Sequence, residues 1–278
     1  MTSPTIRAQT NPFDLTGRVA VVTGGYGVLG GSMAHALAAA GARVAILGRR
    51  EAEANAMAQS IRDAGGQAMT VVADVVARGQ LESARAMILA EYGRIDVLLN
   101  AAGGNVSRAR SDTTLPFAVP MDAFDEVLQL NLHGTVLPSM VFGETMAAQG
   151  RGCIVNISSM AATQALSGVM GYSIAKAGVE NFTRWMAVDL ARRCGDGLRV
   201  NAIAPGFFLA SQNRAAMINP DGTWTPRARS VIAKTPMGRL GNHAELQGAL
   251  LFLCSDAASF VTGVVLAVDG GFSAFTGV

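Results

Sequence analysis

The sequence predicts an α/β fold in which a doubly wound sheet of about seven parallel strands carries helices on both faces. Short apolar runs such as 18–24 and 42–48 end at glycine, which is typical of strands buried inside a parallel sheet. Stretches of helical length, such as the alanine-rich 30–40, separate these runs. Half of the 278 residues are hydrophobic, so the chain can bury a core on each side of such a sheet.

Strands and helices alternate along the whole chain. Predicted strands cover 18–24, 42–48, 68–75, 95–104, 153–159, 198–206 and 263–271, and predicted helices cover 30–40, 51–64, 81–92, 122–148, 171–193 and 244–254. Gly134 and Pro138 are expected to bend the fourth helix. The segment 207–240 contains three prolines and is interpreted as an irregular substrate lid or a pair of short helices. Since no linker separates two units, we expect a single domain over 1–278.

Composition and charge argue against several classes of protein. Lys and Arg number 22 against 20 for Asp and Glu, without a dense basic run, which argues against a nucleic-acid-binding surface. No stretch approaches the ~20 apolar residues of a membrane span, and the N-terminus lacks the apolar region of a secretory signal. Cysteines and histidines are scattered, which favours a reducing compartment, the cytoplasm, and predicts no metal site; they are Cys153, Cys194, Cys254, His35, His133 and His243.

A glycine-rich turn, TGGYGVLG at 23–30, lies where the first predicted strand meets the first helix. Glycines there let backbone N–H groups approach a pyrophosphate, and the N-terminus of the helix favours its negative charge. A tight turn with close packing is the alternative interpretation. The position after the first strand of a βαβ unit favours a dinucleotide site.

Tyr172 and Lys176 are spaced i, i+4, which places them on one face of a helix. A lysine ammonium ~4 Å from a tyrosine supplies ~4 kcal/mol at an effective dielectric of ~20, about enough to lower the tyrosine pKa toward the working pH. Tyr172 can then donate a proton to a carbonyl. Ser159 ends the fifth strand, where its hydroxyl can orient the reacting oxygen, with Ser158 as the competing candidate. An ordinary surface pair is the alternative for Tyr172 and Lys176.

The motifs together resemble the short-chain dehydrogenase/reductase superfamily over about residues 15–272. The resemblance rests on Thr23-Gly24, Gly30, Asn100-Ala101-Ala102-Gly103, Asn131, Ser159, Tyr172, Lys176 and Pro205-Gly206. Val28 departs from it, because the family usually has a glycine there. The segments GNVSRAR and PGFFLASQNRAAM and the tail 256–278 are similar to the D-mannonate oxidoreductase, or fructuronate reductase, subgroup, whose turn commonly carries the Gly-Val-Leu of 27–29. Ala210 stands where relatives often have threonine.

The resemblance implies a Rossmann-type oxidoreductase, usually tetrameric, whose catalytic residues are Asn131, Ser159, Tyr172 and Lys176. Asn131 holds a water of a proton relay, or is a buried polar residue of a bent helix. Asp74 accepts from the adenine amino group, or caps the next helix. The residues assigned to cofactor binding are Thr23, Gly24, Gly25, Tyr26, Gly27, Val28, Leu29, Gly30, Arg49, Asp74, Val75, Asn100, Ala101, Ala102, Gly103, Tyr172, Lys176, Pro205, Gly206 and Phe208.

Charge near the end of the second strand predicts the cofactor, and the family resemblance suggests the substrate. Gly48 stands where NAD-specific relatives have an acidic residue, and Arg49 follows it, so NADP(H) is expected in preference to NAD unless Arg49 is merely solvated. The resemblance favours D-fructuronate and D-mannonate, with a keto-gluconate or another ketone as alternatives and a non-catalytic NADP-binding regulator as the rival class. The substrate residues are expected to be Asn105, Ser159, Asn213 and Arg214; Arg214 would face the carboxylate, with Arg108, Arg227 and Lys234 as rivals.

Overall fold

The computed structural model describes residues 11–112, 115–209 and 213–277. Within them, seven strands form one sheet in the order β3-β2-β1-β4-β5-β6-β7, with every neighbouring pair parallel. The strands are β1 Val19–Thr23, β2 Arg43–Gly48, β3 Gln67–Val72, β4 Val97–Asn100, β5 Gly152–Ile157, β6 Leu198–Pro205 and β7 Val265–Val268. The predicted doubly wound sheet is confirmed. The strand order reverses at β1, where ligands of such sheets bind.

Helices cover both faces of this sheet. They are α1 Val28–Ala39, α2 Glu51–Asp63, α3 Arg78–Tyr92, α4 Met121–Leu128, α5 Gly134–Gln149, α6 Met170–Cys194, α7 Arg214–Met217, α8 Pro226–Lys234 and α9 Gln247–Cys254. One buried core lies under α1, α2 and α9, and a second lies under α3, α5 and α6. Successive side chains of a strand point to opposite faces of the sheet and so contribute to different cores. In β1, Val22 packs in the first core and Val21 in the second.

The predicted long helix over 122–148 is interrupted. A π-helical turn, Gln129–His133, separates α4 from α5, so the irregularity begins before Gly134 and Pro138. Pro138 lies inside α5 without ending it. The wide turn buries Asn131 completely, which brings its side chain into contact with the end of β4. The irregularity in this helix therefore also positions the side chain of Asn131.

The fourth predicted strand is shorter than expected, and the segment predicted to be irregular is partly helical. The run 95–104 is a strand only to Asn100, because the next two N–H groups, of Ala101 and Ala102, bond to the Thr23 hydroxyl at 3.1 and 3.2 Å instead of to a neighbouring strand. The segment 207–240 contains the two short helices α7 and α8. Among the residues described, no helix is both long and apolar enough to span a membrane.

Candidate active site

The glycine turn between β1 and α1 is built on close backbone contacts. Gly24 has φ +63°, and a Cβ there would lie 2.8 Å from the Cα of Ala102. A Cβ on Gly30 would overlap the carbonyl oxygen of Gly24. The N-cap of α1 is Gly27, whose lack of a side chain leaves the first helical N–H groups without a side-chain cap. The turn therefore offers backbone donors at the N-terminus of a helix, as a pyrophosphate site requires.

Val28, the departure from the family pattern, fits this turn without strain. It is the first residue of α1, is 38% exposed, and lines the cleft beside the turn. No non-glycine residue in the described part of the chain has a positive φ. Valine is tolerated because its position is helical and its side chain points outward.

A cavity of about 380 Å³ opens in front of the turn, within the size range of ligand and cofactor sites. Fourteen of the residues predicted for the cofactor line it: Gly24, Tyr26, Gly27, Val28, Leu29, Gly30, Arg49, Asp74, Val75, Ala101, Ala102, Gly103, Tyr172 and Lys176. Six further lining residues were not among those predicted to bind the cofactor, although Gly48 had been identified as the position that lacks an acidic residue: Met33, Gly48, Arg50, Ala73, Leu130 and Ile157. Gly48, Ala73 and Ile157 lie at or just beyond strand ends, a signal that could have found them; Met33 and Leu130 carry no chemical signal.

Three predicted cofactor residues support the cavity from behind. The Thr23 hydroxyl accepts from the N–H groups of Ala101 and Ala102, and Gly25 packs on the backbone of β1. Asn100 is buried and donates to Ser139 and Asn156 at 2.8 and 2.9 Å. These residues fix the loop after β4 instead of lining the cavity.

At the far end of this cavity, charged residues are paired with each other. Arg49 lies 3.6 Å from the Asp74 carboxylate, and Arg50 lies 2.9 Å from Glu53 and over the Tyr26 ring, 4.6 Å from its centroid. Asp74 accepts from the N–H of Val76, and α3 begins only after Ala77, so the idea that Asp74 caps that helix is wrong.

The Tyr26 ring lies directly on Gly48. A Cβ at position 48 would overlap the Tyr26 ring, whose hydroxyl accepts from the Arg50 N–H at 3.4 Å. Tyr26 therefore occupies the space that an acidic side chain at the end of β2 would need.

A second cavity, of about 390 Å³, adjoins the first. Leu29, Ile157 and Tyr172 line both, so the two cavities meet at the predicted catalytic tyrosine. Predicted residues on the second cavity are Asn105, Ser159, Asn213, Pro205, Gly206 and Phe208. The last three were predicted to bind the cofactor, but in the structure they line the second cavity and not the first.

The structure does not bring Arg214 to this cavity. Arg214 is the first residue of α7 and is exposed. The four-residue helix packs on the protein through Met217, which is buried. Arg227 and Arg110 line the cavity instead, the first a rival candidate and the second unpredicted. Arg108 is paired with Asp122 and lies outside the lining residues. Ala210 lies outside the described residues.

Ser159 and Tyr172 form the polar pair at the junction. Ser159 follows β5, where its Oγ accepts from the Ala161 N–H at 3.2 Å and shares a hydrogen bond with Tyr172 that lowers the tyrosine pKa. Ser158, the competing candidate, is also among the residues that line the second cavity, but it is buried and its hydroxyl donates to Glu180 at 3.0 Å. Adjacent side chains of an extended segment point to opposite sides, which separates the two serines.

Lys176 lies one helical turn after Tyr172 and is buried. Its Nζ donates to the Ile157 carbonyl at 2.7 Å and lies 5.5 Å from the centre of the Tyr172 ring. Burial lowers the pKa of Lys176 to about 8. Burial also raises the pKa of Tyr172 above its usual value, more than the bond from Ser159 lowers it. Burial of Tyr172 therefore opposes the lowering of its pKa that the sequence predicts from Lys176, and that lowering stays a prediction.

Asn131 ties the π-helical turn to the site. Its Nδ2 donates to the carbonyls of Gly104 and Val127 at 2.8 and 2.9 Å, and its Oδ1 accepts from the Gly104 N–H at 3.0 Å. A Cβ on Gly103 would lie 2.8 Å from Asn131 Oδ1 and 3.4 Å from Lys176 Nζ. The bond to Val127 fits the alternative in which Asn131 is a buried polar residue of a bent helix. The bonds to Gly104 hold the loop after β4 beside Lys176. Within the described residues, no three potential metal ligands cluster.

Known proteins share this architecture. A family model described as enoyl-(acyl carrier protein) reductase matches residues 27–273. An "Uncharacterized oxidoreductase UxuB" of Bacillus subtilis is 45% identical over 95% of this chain and 98% of its own length.

Two solved structures are similar over most of the chain. One, from Haemophilus influenza, provisionally described as a D-mannonate oxidoreductase with bound NAD, has a TM-score of 0.89 at 39% identity, covering 95% of this chain and 98% of its own. The other, a gluconate 5-dehydrogenase of Burkholderia cenocepacia in complex with NADP and tartrate, has a TM-score of 0.85 at 33% identity, with the same coverage. Together with the glycine turn and the Ser159–Tyr172–Lys176 arrangement, these similarities show that the chain is an NAD(P)-dependent oxidoreductase that belongs to the short-chain dehydrogenase/reductase superfamily.

Proposed function

We propose that this protein reduces a keto sugar acid with NADP(H), and that D-fructuronate and D-mannonate are its substrate and product. The observation that carries the proposal is the pair of adjoining cavities that share Tyr172, one suited to a dinucleotide and the other lined by polar groups and two arginines. A nicotinamide cofactor, when bound, supplies the hydride.

The residues at the junction have separate roles in this reaction. Tyr172 donates its phenolic proton to the carbonyl oxygen of the substrate as that oxygen becomes negative. Ser159 donates a hydrogen bond to the same oxygen and orients it. A tyrosine whose pKa is raised by burial remains protonated at neutral pH, which suits it to act as the acid in reduction.

Lys176 and Asn131 support the proton donor. The ammonium of Lys176, below its pKa of about 8, stabilises the phenolate that remains after transfer. Asn131 fixes Gly104, and with it the loop beside Lys176. A water held near Asn131 would return a proton toward Lys176, the relay that the family resemblance implies.

The lining of the second cavity supports an acidic polyol as substrate. Asn105, Ser107 and Asn213 present neutral polar groups that match hydroxyls, and Arg110 and Arg227 present positive charge that matches a carboxylate. A purely apolar ketone would offer no hydrogen-bonding groups to this lining, and a neutral sugar would offer no negative charge to the two arginines.

A keto-gluconate is the second candidate substrate. It is favoured by the similarity to the gluconate 5-dehydrogenase structure, which holds NADP and tartrate. The test is the initial rate of NADPH oxidation with D-fructuronate, 5-keto-D-gluconate and D-fructose at equal concentrations. We expect D-fructuronate to give the highest kcat/KM; a higher value for 5-keto-D-gluconate would reverse the assignment, and no turnover of any ketone would favour the NADP-binding regulator.

We propose that NADP(H) is preferred to NAD(H). Gly48 and Tyr26 leave the end of β2 without a carboxylate to repel a 2′-phosphate, and Arg49 lines the cavity there with its side chain mostly exposed. The Asp74 partner of Arg49 reduces this attraction, so the preference should be moderate. The ratio of kcat/KM for NADPH to that for NADH on one substrate measures it, and a ratio below one would contradict it.

We further propose a cytoplasmic homotetramer of single-domain subunits in which 207–240 covers the substrate. Apolar side chains exposed on α5 and α6 support assembly through these helices: Met140, Ile174, Trp185 and Val188. Light scattering at the concentration of the assay tests the assembly, with four subunits expected.

A further inference from the structure

Two arginines from segments far apart in the chain line the substrate cavity. Arg110 follows the short 3₁₀ turn Ser107–Ala109, and Arg227 is the second residue of α8. Ser159 and Tyr172 line the same cavity, whereas no carboxylate is among the described residues that line it. Positive charge therefore faces the ligand, while the Asp112 carboxylate that pairs with Arg110 lies outside the described lining.

The two arginines differ in their partners. Arg110 is held by Asp112 through two hydrogen bonds, of 3.1 Å from Nε and 2.6 Å from Nη2. Arg227 donates from Nη1 to the neutral hydroxyl of Ser167 at 3.3 Å. Asp112 also interacts electrostatically with Arg227, but its two side-chain hydrogen bonds come from Arg110. Two guanidinium groups therefore share one carboxylate, which leaves one net positive charge, and Arg227 is the arginine whose described bond goes to a neutral group.

Backbone contacts fix the position of both groups. The Ser111 N–H donates to the carbonyl of Gly168 at 3.2 Å, and a Cβ on Gly168, which has φ +78°, would lie 2.8 Å from Asp112 Cβ. The loop that carries Arg110 and Asp112 is thus packed on the loop before α6. On the other side, Thr225 caps α8 and its hydroxyl donates to the Ala216 carbonyl at 2.7 Å. The start of α8 is therefore tied to α7, which limits the freedom of Arg227.

We propose that Arg227 binds the carboxylate of the substrate, with the Arg110–Asp112 pair holding the wall beside it, and that Arg227 thereby selects keto sugar acids over neutral keto sugars. The guanidinium carries five N–H donors in a planar fork that matches the two oxygens of a carboxylate. The inference rests on the proposed function, since it assigns a residue to that same site.

The test compares D-fructuronate with D-fructose, the same ketose with a hydroxymethyl group in place of the carboxylate. Arg227→Gln should lower kcat/KM for D-fructuronate by roughly 10- to 150-fold, the effect of one lost charge-assisted hydrogen bond, while changing that for D-fructose by less than about threefold. Arg227→Lys should restore part of the loss because it keeps the charge without the fork. Arg229→Gln removes an exposed arginine from the same helix outside the cavity lining, and is expected to leave both values unchanged.

Equal losses for the two ketoses, or the same loss in Arg229→Gln, would overturn the assignment of Arg227 while leaving the proposed function intact. If no turnover is observed, ligand binding measured by melting temperature still tests the assignment of Arg227 separately from the proposed function. D-mannonate should raise the melting temperature of the wild-type protein with NADP⁺ more than D-mannitol does, and Arg227→Gln should abolish that difference. An unchanged difference in the variant would overturn the assignment of Arg227, whereas failure of the wild type to reduce any keto sugar acid would overturn the proposed function.

Discussion

The cofactor cavity and the substrate cavity of this protein are built in different ways. The centre of the first is formed by backbone: glycines at the β1–α1 turn, the N-terminus of α1, and the loop after β4. The polar groups of the second are side chains from separate segments, among them those that carry Asn105 and Arg110, Ser159, Asn213, and Arg227. Contiguous backbone motifs determine the first, whereas the second depends on how distant loops pack.

The cavities also differ in what a substitution can change. Near the glycine turn, an added Cβ meets backbone atoms that cannot move without the strands. In the substrate cavity, the exchange of one side chain changes charge or hydrogen bonding and leaves the frame in place. Function at the first site is therefore coupled to stability, and function at the second is largely independent of it.

Of the substitutions considered, replacement of Tyr172 at the junction of the two cavities should change activity most. Tyr172→Phe removes the proton donor and keeps the ring, so we expect turnover to fall by ~10² or more with both cavities preserved. Initial rates measure the loss, and quenching of protein fluorescence by NADPH measures the retained cofactor affinity. Turnover near the wild-type rate would show that the proton comes from another group.

Lys176 provides a second test, in the free energy of unfolding. Its folded pKa of about 8 lies below the ordinary lysine value of 10.5, so between these pH values the unfolded chain binds more protons and wild-type stability rises with pH. Lys176→Met lacks this rise. The variant's stability relative to wild type should fall by on the order of 3 kcal/mol between pH 7.5 and 10.5. Urea unfolding at both pH values measures it, with Lys234→Met, at an exposed lysine, as the control; a difference independent of pH would contradict it.

The glycine turn predicts a loss that combines stability and cofactor binding. Gly30→Ala drives a Cβ into the Gly24 carbonyl, and the overlap should cost about 1–3 kcal/mol of unfolding free energy and weaken NADPH binding. Gly79→Ala is the matched control, because a Cβ at this position of α3 meets nothing within 4 Å. Gly79→Ala should be neutral or slightly stabilising. If the two variants had the same unfolding free energy and the same NADPH affinity, the glycine turn would not depend on close backbone contacts.

The smallest effect is expected at Arg214. Because its side chain is exposed and outside the substrate cavity, Arg214→Ala should change stability by less than about 0.5 kcal/mol and kcat/KM for D-fructuronate by less than about twofold. Steady-state kinetics on the acid substrate decide this. A tenfold loss would mean that 207–240 rearranges on binding and that the substrate cavity described above is not its working form.

The success of sequence reasoning follows the same division between the two cavities. The sheet, the helices and most residues of the cofactor cavity could be predicted, because they follow from local periodicity and from glycines in one turn. Arg214 and Arg227 could not be distinguished, since both are arginines in 207–240 at the start of a short helix, and only packing of α7 and α8 decides which faces the cavity. Arg110 was missed because its place depends on the contact between Ser111 and Gly168. The balance of forces on Tyr172 depends on its burial, which spacing does not reveal.

The packing of Tyr26 on Gly48 restricts how this protein can evolve or be engineered toward another cofactor. An aspartate introduced at position 48 alone would meet the tyrosine ring, which is itself held by Arg50 through its hydroxyl and its face. Replacement of Tyr26 alone would open space without supplying a carboxylate for the ribose. We therefore expect the two positions to act epistatically: an acidic residue at the end of β2 should be accommodated better when Tyr26 is replaced as well than when Gly48 alone is replaced.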